Sequence, residues 1–206
     1  MEISLWLAFV AAAAIVLAIP GPTILLVIGQ SLGTGRRGAV PLVAGVAAGD
    51  AVAMSLSLAG LGALLAASAT AFTVLKFCGA AYLVWLGVKL WRAPVVVSGD
   101  AAPRPAWAAA REAFVVTALN PKSIAFFVAF VPQFINPARD FTTQALVLVP
   151  TFVAMAAVNA ALYAVLAARL SGAVRRPQVR RWLNRTGGTM LIGAGLATAA
   201  MRRAGS

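Results

Sequence analysis

The chain has 206 residues, of which 62% are hydrophobic and 11% charged, with a mean hydropathy of +0.92. A soluble domain of this size is nearer half apolar and a quarter charged, so the composition excludes an ordinary soluble fold. Seventeen basic against five acidic residues leave a net charge of +12, while the lack of histidine and the single cysteine, Cys78, exclude the commonest general base and any internal disulfide.

About 20 apolar residues cross a hydrocarbon core of about 30 Å. The first such stretch carries no charge between Glu2 and Arg36. It has Glu2 in place of a basic leader and is too long for the core of a cleaved signal, so residues 4–29 read as the first span. The run "LAIPGPTILL" interrupts it. Pro20 and Pro22 flank Gly21, and each proline removes a backbone donor and crowds an earlier carbonyl, at about 3 kcal/mol in a helix interior.

The second span, 41–65, contains Asp50, the only charge between Arg37 and Lys76. The third, 72–91, follows after the short uncharged turn "AASATAF". Residues 93–111 hold three of the eleven prolines and read as a linker. The fourth span, 112–134, has its own interruption in "TALNPKSIAFF", at Asn120, Pro121 and Lys122. The fifth, 142–168, carries Asn159 and lies in a stretch uncharged between Asp140 and Arg169. The sixth, 182–201, has an uncharged core of only about 24 Å at 1.5 Å per residue, so five spans is the alternative reading.

The basic residues are unevenly placed. Twelve lie in or beside the first, third and fifth loops: Arg36 and Arg37; Lys89, Arg92, Arg104 and Arg111; Arg169, Arg175, Arg176, Arg180, Arg181 and Arg185. Only Lys76, Arg139, Arg202 and Arg203 fall on the other side. That bias predicts cytoplasmic loops, both termini outside, and anionic lipid headgroups rather than nucleic acid as the partner of "RRPQVRRWLNR".

The linker divides the chain into three spans and three, 1–92 and 112–206 within one transport domain, so the halves insert with opposite orientation. The expected fold is an all-α membrane protein of six helices in two inverted repeats, with helices 1 and 4 broken. Gly79 and Gly87 superpose on Gly187 and Gly195 after a shift of 108 residues, although close helix packing also explains such glycines.

Counted from the cytoplasmic ends of their spans, Pro20, Asp50, Pro121 and Asn159 all lie roughly 13–15 Å deep, near the midplane. Breaking two helices at that level releases backbone donors and acceptors and aims helix dipoles at a common site, which suits a zwitterion. A central carboxylate is unfavourable by about 2.5–3.5 kcal/mol on insertion scales, so Asp50 marks a proton-coupling or ammonium-binding site. The structural alternative is a carboxylate capped by released amides or paired with Lys122. Lys122 in turn suits Asp50, a substrate carboxylate, or snorkelling to the cytoplasmic face. Asn120 and Asn159 could bond across helices; Gln30 and Tyr163 read as interface residues, Lys76 as snorkelling, and Cys78 as a small packed side chain. Gly45 and Gly49 would let a second backbone approach Asp50.

"AIPGPTILLV", "GVAAGD", "GAAYLVWLGVKLWR" and "TALNPKSIAFFVAFVPQF" together resemble the lysine exporter and RhtB family of bacterial amino-acid exporters. Order and spacing match over the first two-thirds; the remainder agrees in hydropathy, its basic loop and a "GG…G" ending. The resemblance implies a six-helix inner-membrane exporter of amino acids or derivatives, driven by the proton gradient, by exchange; separately, no cofactor or metal is expected. It points to Pro20, Gly21, Pro22, Asp50, Asn120, Pro121 and Lys122. Family cargoes include basic amino acids, threonine, homoserine and its lactone, leucine and cysteine derivatives. With one acidic residue in the core, a neutral or zwitterionic amino acid is the expected cargo.

Other classes fit less well. A carrier of reducing equivalents needs two thiols. A metal exporter wants cysteine, histidine or several carboxylates. An intramembrane enzyme would have to rely on a Ser–Lys dyad of Lys122 with Ser123, Ser55 or Ser57. The small-residue faces of spans two, three and six suit packing within the chain or against a second copy in a homodimer.

Overall fold

Backbone groups facing lipid have no water to bond, so an apolar chain must pair them internally. In the computed structural model, which describes residues 1–34, 38–67, 69–92, 105–169 and 177–200, the described residues form helices and no strand. These are α1 (Ile3–Ala18), α2 (Pro22–Thr34), α3 (Ala39–Ala67), α4 (Ala69–Trp91), α5 (Ala106–Ala118), α6 (Pro121–Ala125), α7 (Phe141–Arg169) and α8 (Pro177–Ala200). Between α6 and α7 the chain continues as a π turn, Phe126–Phe130, and a 3-10 turn, Val131–Phe134.

Among the described residues, three stretches are long and apolar enough to cross a membrane: Ala39–Leu61, Ala106–Phe134 and Phe141–Ala167. A fourth is α1 with Pro22–Ser31, bent by 56° at the Pro20–Pro22 interruption. In α4 the described apolar stretch is shorter, Phe77–Lys89. The described residues are therefore those of a helical membrane protein.

Helix boundaries follow local chemistry. α8 begins with Pro177, whose fixed φ and missing N–H suit the first helical position. α5 begins at Ala106, six residues before the expected start, because "AWAAAR" is rich in the best helix former. Outside the membrane, Asp140 accepts from the Thr143 backbone N–H at 2.6 Å and caps α7. The Thr143 hydrogen bonds hold its carboxyl below the usual range.

Glycines set the closest approaches. A Cβ on Gly49 would lie 2.8 Å from Phe114 O and 2.8 Å from Thr117 Cβ, and one on Gly45 would collide with Ala110 O, so α3 and α5 touch nearly backbone to backbone. α4 and α8 pair in the same way through Gly87, Gly188 and Gly195. Gly79 instead faces Ala129 in the π turn, so its spacing from Gly87 serves packing against two different partners. Cys78 corrects an expectation: it is exposed on α4, because Gly79 and Ala80 take the inward face.

Two apolar clusters flank the breaks. Phe9, Met54, Phe126, Phe127, Phe130, Phe134 and Phe152 anchor one. Val27, Leu42, Val46, Ala109, Ala113, Ala160 and Ala164 form the other, which is much smaller in side-chain volume. The side chains of Lys76 and Arg180, arginines 36, 37, 104, 175, 176, 202 and 203, and linker residues 93–104 lie outside the described residues.

Candidate functional site: a polar cavity between two broken helices

In a continuous helix the N–H of residue 20 would bond Val16 O and that of residue 22 would bond Ala18 O. Prolines occupy both positions, so the last turn of α1 is left with orphan carbonyls. Side chains from two other spans take them up. Lys122 Nζ donates to Ile19 O at 2.7 Å and to Val16 O at 3.0 Å, with Val16 O also accepting from Ile19 N–H. Asn159 Nδ2 donates to Leu17 O at 3.0 Å, and the Tyr163 hydroxyl donates to Ala18 O at 2.8 Å. All four terminal carbonyls are satisfied. The ammonium sits at the negative end of the α1 dipole, where a cation is favoured.

Gly21 makes room for this arrangement, since a Cβ there would lie 3.2 Å from Lys122 Cε. Sequence reasoning paired Lys122 with Asp50 or a substrate carboxylate. The ammonium instead holds the backbone of α1, and no Asp50–Lys122 ion pair is formed among the described residues. Backbone acceptors carry no residue signature, which is why this partner was not legible.

The second break is built differently. Pro121 removes the N–H that would reach Thr117 O, and Asn120 N–H takes its place at 3.0 Å. Asn120 Oδ1 accepts from Lys122 N–H at 3.1 Å, capping α6. Its Nδ2 donates to Thr23 Oγ1 at 3.1 Å, and Thr117 Oγ1 donates to the same oxygen at 3.2 Å. Thr23 therefore ties the start of α2 to the break of the fourth span. Neither threonine stood out in the sequence, because threonine is common in membrane helices. A further tie joins the two helices, where Gln30 Nε2 donates to Glu112 Oε2 at 2.8 Å.

Between the breaks lies a cavity of about 20 Å³, room for a water molecule or two. Thr23, Asp50, Asn120, Lys122, Ser123 and Asn159 supply its polar lining; Leu17, Ile24, Val46 and Ala156 supply the apolar part. Pro20, Gly21, Pro22 and Pro121 shape the breaks but do not line it. Asp50 is 3% exposed, and its Oδ1 has no hydrogen-bond partner. Lys122 is 5% exposed, so one acid and one base are buried around the same small space. Such a site can hold an ammonium on the free carboxylate oxygen, and it has one cation and several amide and hydroxyl groups for an anion.

The model of the LysE type translocator family matches residues 14–202. The chain belongs to that family. Among the relatives of this translocator, an uncharacterized membrane protein of Vibrio cholerae is 39% identical over 97% of the chain and 98% of its own length. The homoserine/homoserine lactone efflux protein of Salmonella typhimurium is 35% identical over 97% and 98%. The leucine efflux protein of Salmonella choleraesuis is 36% identical over 140 residues, 66% of either chain. No solved structure matches the translocator.

Proposed function

We propose that this translocator exports neutral, zwitterionic amino acids across the bacterial inner membrane by proton-coupled exchange. The observation that carries the reading is the unpartnered, buried Asp50 Oδ1 on a cavity between two proline-broken helices. A buried carboxylate without a partner is unfavourable unless it takes up a proton or a cation, and a substrate ammonium supplies either. Proton and ammonium cannot occupy the same oxygen together, which couples their movements in opposite directions. The relatives named for homoserine and leucine efflux support a cargo without side-chain charge.

In this reading α1 with α2, α3 and α4 form one repeat, and α5 with the segment through Phe134, α7 and α8 form its inverted counterpart. The contacts support it, since α3 on α5 matches α7 on α1 and α2, while α3 with α7 and α4 with α8 exchange with themselves. Six spans, cytoplasmic basic loops and outward termini follow. The basic loop before α8 rests on anionic headgroups, and a homodimer would use the outer helix faces. The cavity is too small for an amino acid, so loading requires the two breaks to separate, as alternating access does.

The test is release from substrate-loaded proteoliposomes under an imposed proton gradient, with a panel of radiolabelled amino acids. Gradient-dependent release of neutral members supports the reading. Release of basic amino acids alone, or none that depends on the gradient, contradicts it.

A further inference from the structure

Two buried polar side-chain atoms have no hydrogen-bond partner among the described residues, Asp50 Oδ1 on the cavity and Ser31 Oγ on α2. Ser31 is 1% exposed and lies outside the cavity, about 12 Å along α2 from the lining residue Thr23 at 1.5 Å per residue. Thr23, Val27 and Ser31 are spaced four apart and so share one face of the helix. Val27 is fully buried there among Leu42, Val46 and four alanines, Ala109 and Ala113 of α5 and Ala160 and Ala164 of α7. A strip of small side chains thus runs from the cavity toward a buried hydroxyl that nothing satisfies. Such a hydroxyl is unfavourable, and water reaching it along α2 would relieve it.

The two halves of the broken first span are held down differently. α1 is fixed through its backbone carbonyls by Lys122, Asn159 and Tyr163, with the phenylalanine cluster packed behind it. α2 is tied to the fourth span by side chains: Thr23 with Thr117 and Asn120, and Gln30 with Glu112. Among the described residues no backbone hydrogen bond passes from α1 to α2, and Pro20 and Pro22 lack the N–H for two of them. We propose that substrate reaches the cavity along the Val27–Ser31 face of α2, and that Gln30 and Glu112 form the gate that closes this passage. α2 swings about the Pro20–Pro22 break while α1 stays in place, and Ser31 gives the opened strip a polar group. Calling the passage a route for substrate rests on the export reading; the movement of α2 does not.

Thiol labelling reads the opening directly. In the full chain with Cys78→Ser, Ala160→Cys and Ala164→Cys report water access beneath α2, and Ala13→Cys, fully buried on α1, reports the other half. The probe is a small charged methanethiosulfonate reagent applied to purified protein in detergent. With Gln30 intact, all three positions should label slowly. Gln30→Leu removes the donor to Glu112 and should speed labelling at 160 and 164 about tenfold or more, as loss of a hydrogen bond to a charged group predicts, while position 13 stays protected. Gln30→Lys puts a donor back opposite Glu112 and should hold labelling near the starting rate. Trp6→Phe breaks the Trp6–Thr151 bond in the α1 half and should leave positions 160 and 164 protected.

Unchanged labelling at 160 and 164 in Gln30→Leu overturns the gate. An equal rise at position 13, a matching rise in Trp6→Phe, or labelling in Gln30→Lys as fast as in Gln30→Leu overturns it as well, since each marks general loosening. These measurements do not depend on flux, so the gate can fail while export stands. A protein that labels as expected yet releases no amino acid from proteoliposomes fails the export reading and overturns the substrate route, while the movement of α2 survives.

Discussion

Replacing Gly49 by alanine places a methyl 2.8 Å from Phe114 O, 2.8 Å from Thr117 Cβ and 3.1 Å from Ala118 N. Two of these are backbone atoms of α5 and cannot turn aside. Ordinary contact begins near 3.4 Å, so α3 and α5 must part by about half an ångström; such overpacking costs about 1–3 kcal/mol. Alanine recovers about 0.5–1 kcal/mol through its better helix propensity. The net expectation is a loss of roughly 1–2 kcal/mol, or a few degrees in Tm for a chain of this length. Gly60, on the same helix, meets nothing within 4 Å, so Gly60→Ala should be neutral or slightly stabilising. Thermal unfolding of the two purified variants in one detergent makes the comparison. Because Asp50 follows Gly49, the displaced helix should also slow export in Gly49→Ala but not in Gly60→Ala. A Gly49→Ala protein as stable and as active as the wild type would refute the backbone-contact reasoning.

Lys122→Met keeps the length of the side chain and removes its donors. Val16 O retains Ile19 N–H while Ile19 O is orphaned, so stability should fall by about 1–3 kcal/mol, and an unchanged or raised Tm would contradict the α1-capping role. Phe152 is fully buried against Phe127 at 4.9 Å and Phe126 at 5.8 Å, so Phe152→Ala should lose about 3–5 kcal/mol. Expression at wild-type level with unchanged Tm would show that the aromatic cluster does not hold α7 to the π turn.

How much was legible depended on the kind of signal. Prolines announce helix breaks from sequence alone, because they lack the N–H at known positions, and both interruptions fall where "PGP" and "NPK" stand. A lone acid in an apolar run is equally plain, and Asp50 is buried on the cavity. The capping of α1 was hidden, since its acceptors are backbone carbonyls while the donors come from positions 122, 159 and 163, more than a hundred residues away. The start of α5 at Ala106 was missed because its polar flank suggested a linker, whereas alanine propensity extends the helix. The π turn at Phe126–Phe130 has no sequence period to betray it; an extra residue per turn there fans the phenylalanines toward Phe152.

The account stands on the free oxygen of Asp50, and Asp50→Asn probes it without changing the shape of the side chain. Proton-driven release of a neutral amino acid should be compared between wild type and Asp50→Asn in proteoliposomes of matched protein content and matched Tm. Loss of most gradient-dependent flux in the folded variant is the predicted result. Full gradient-dependent flux from Asp50→Asn would contradict it.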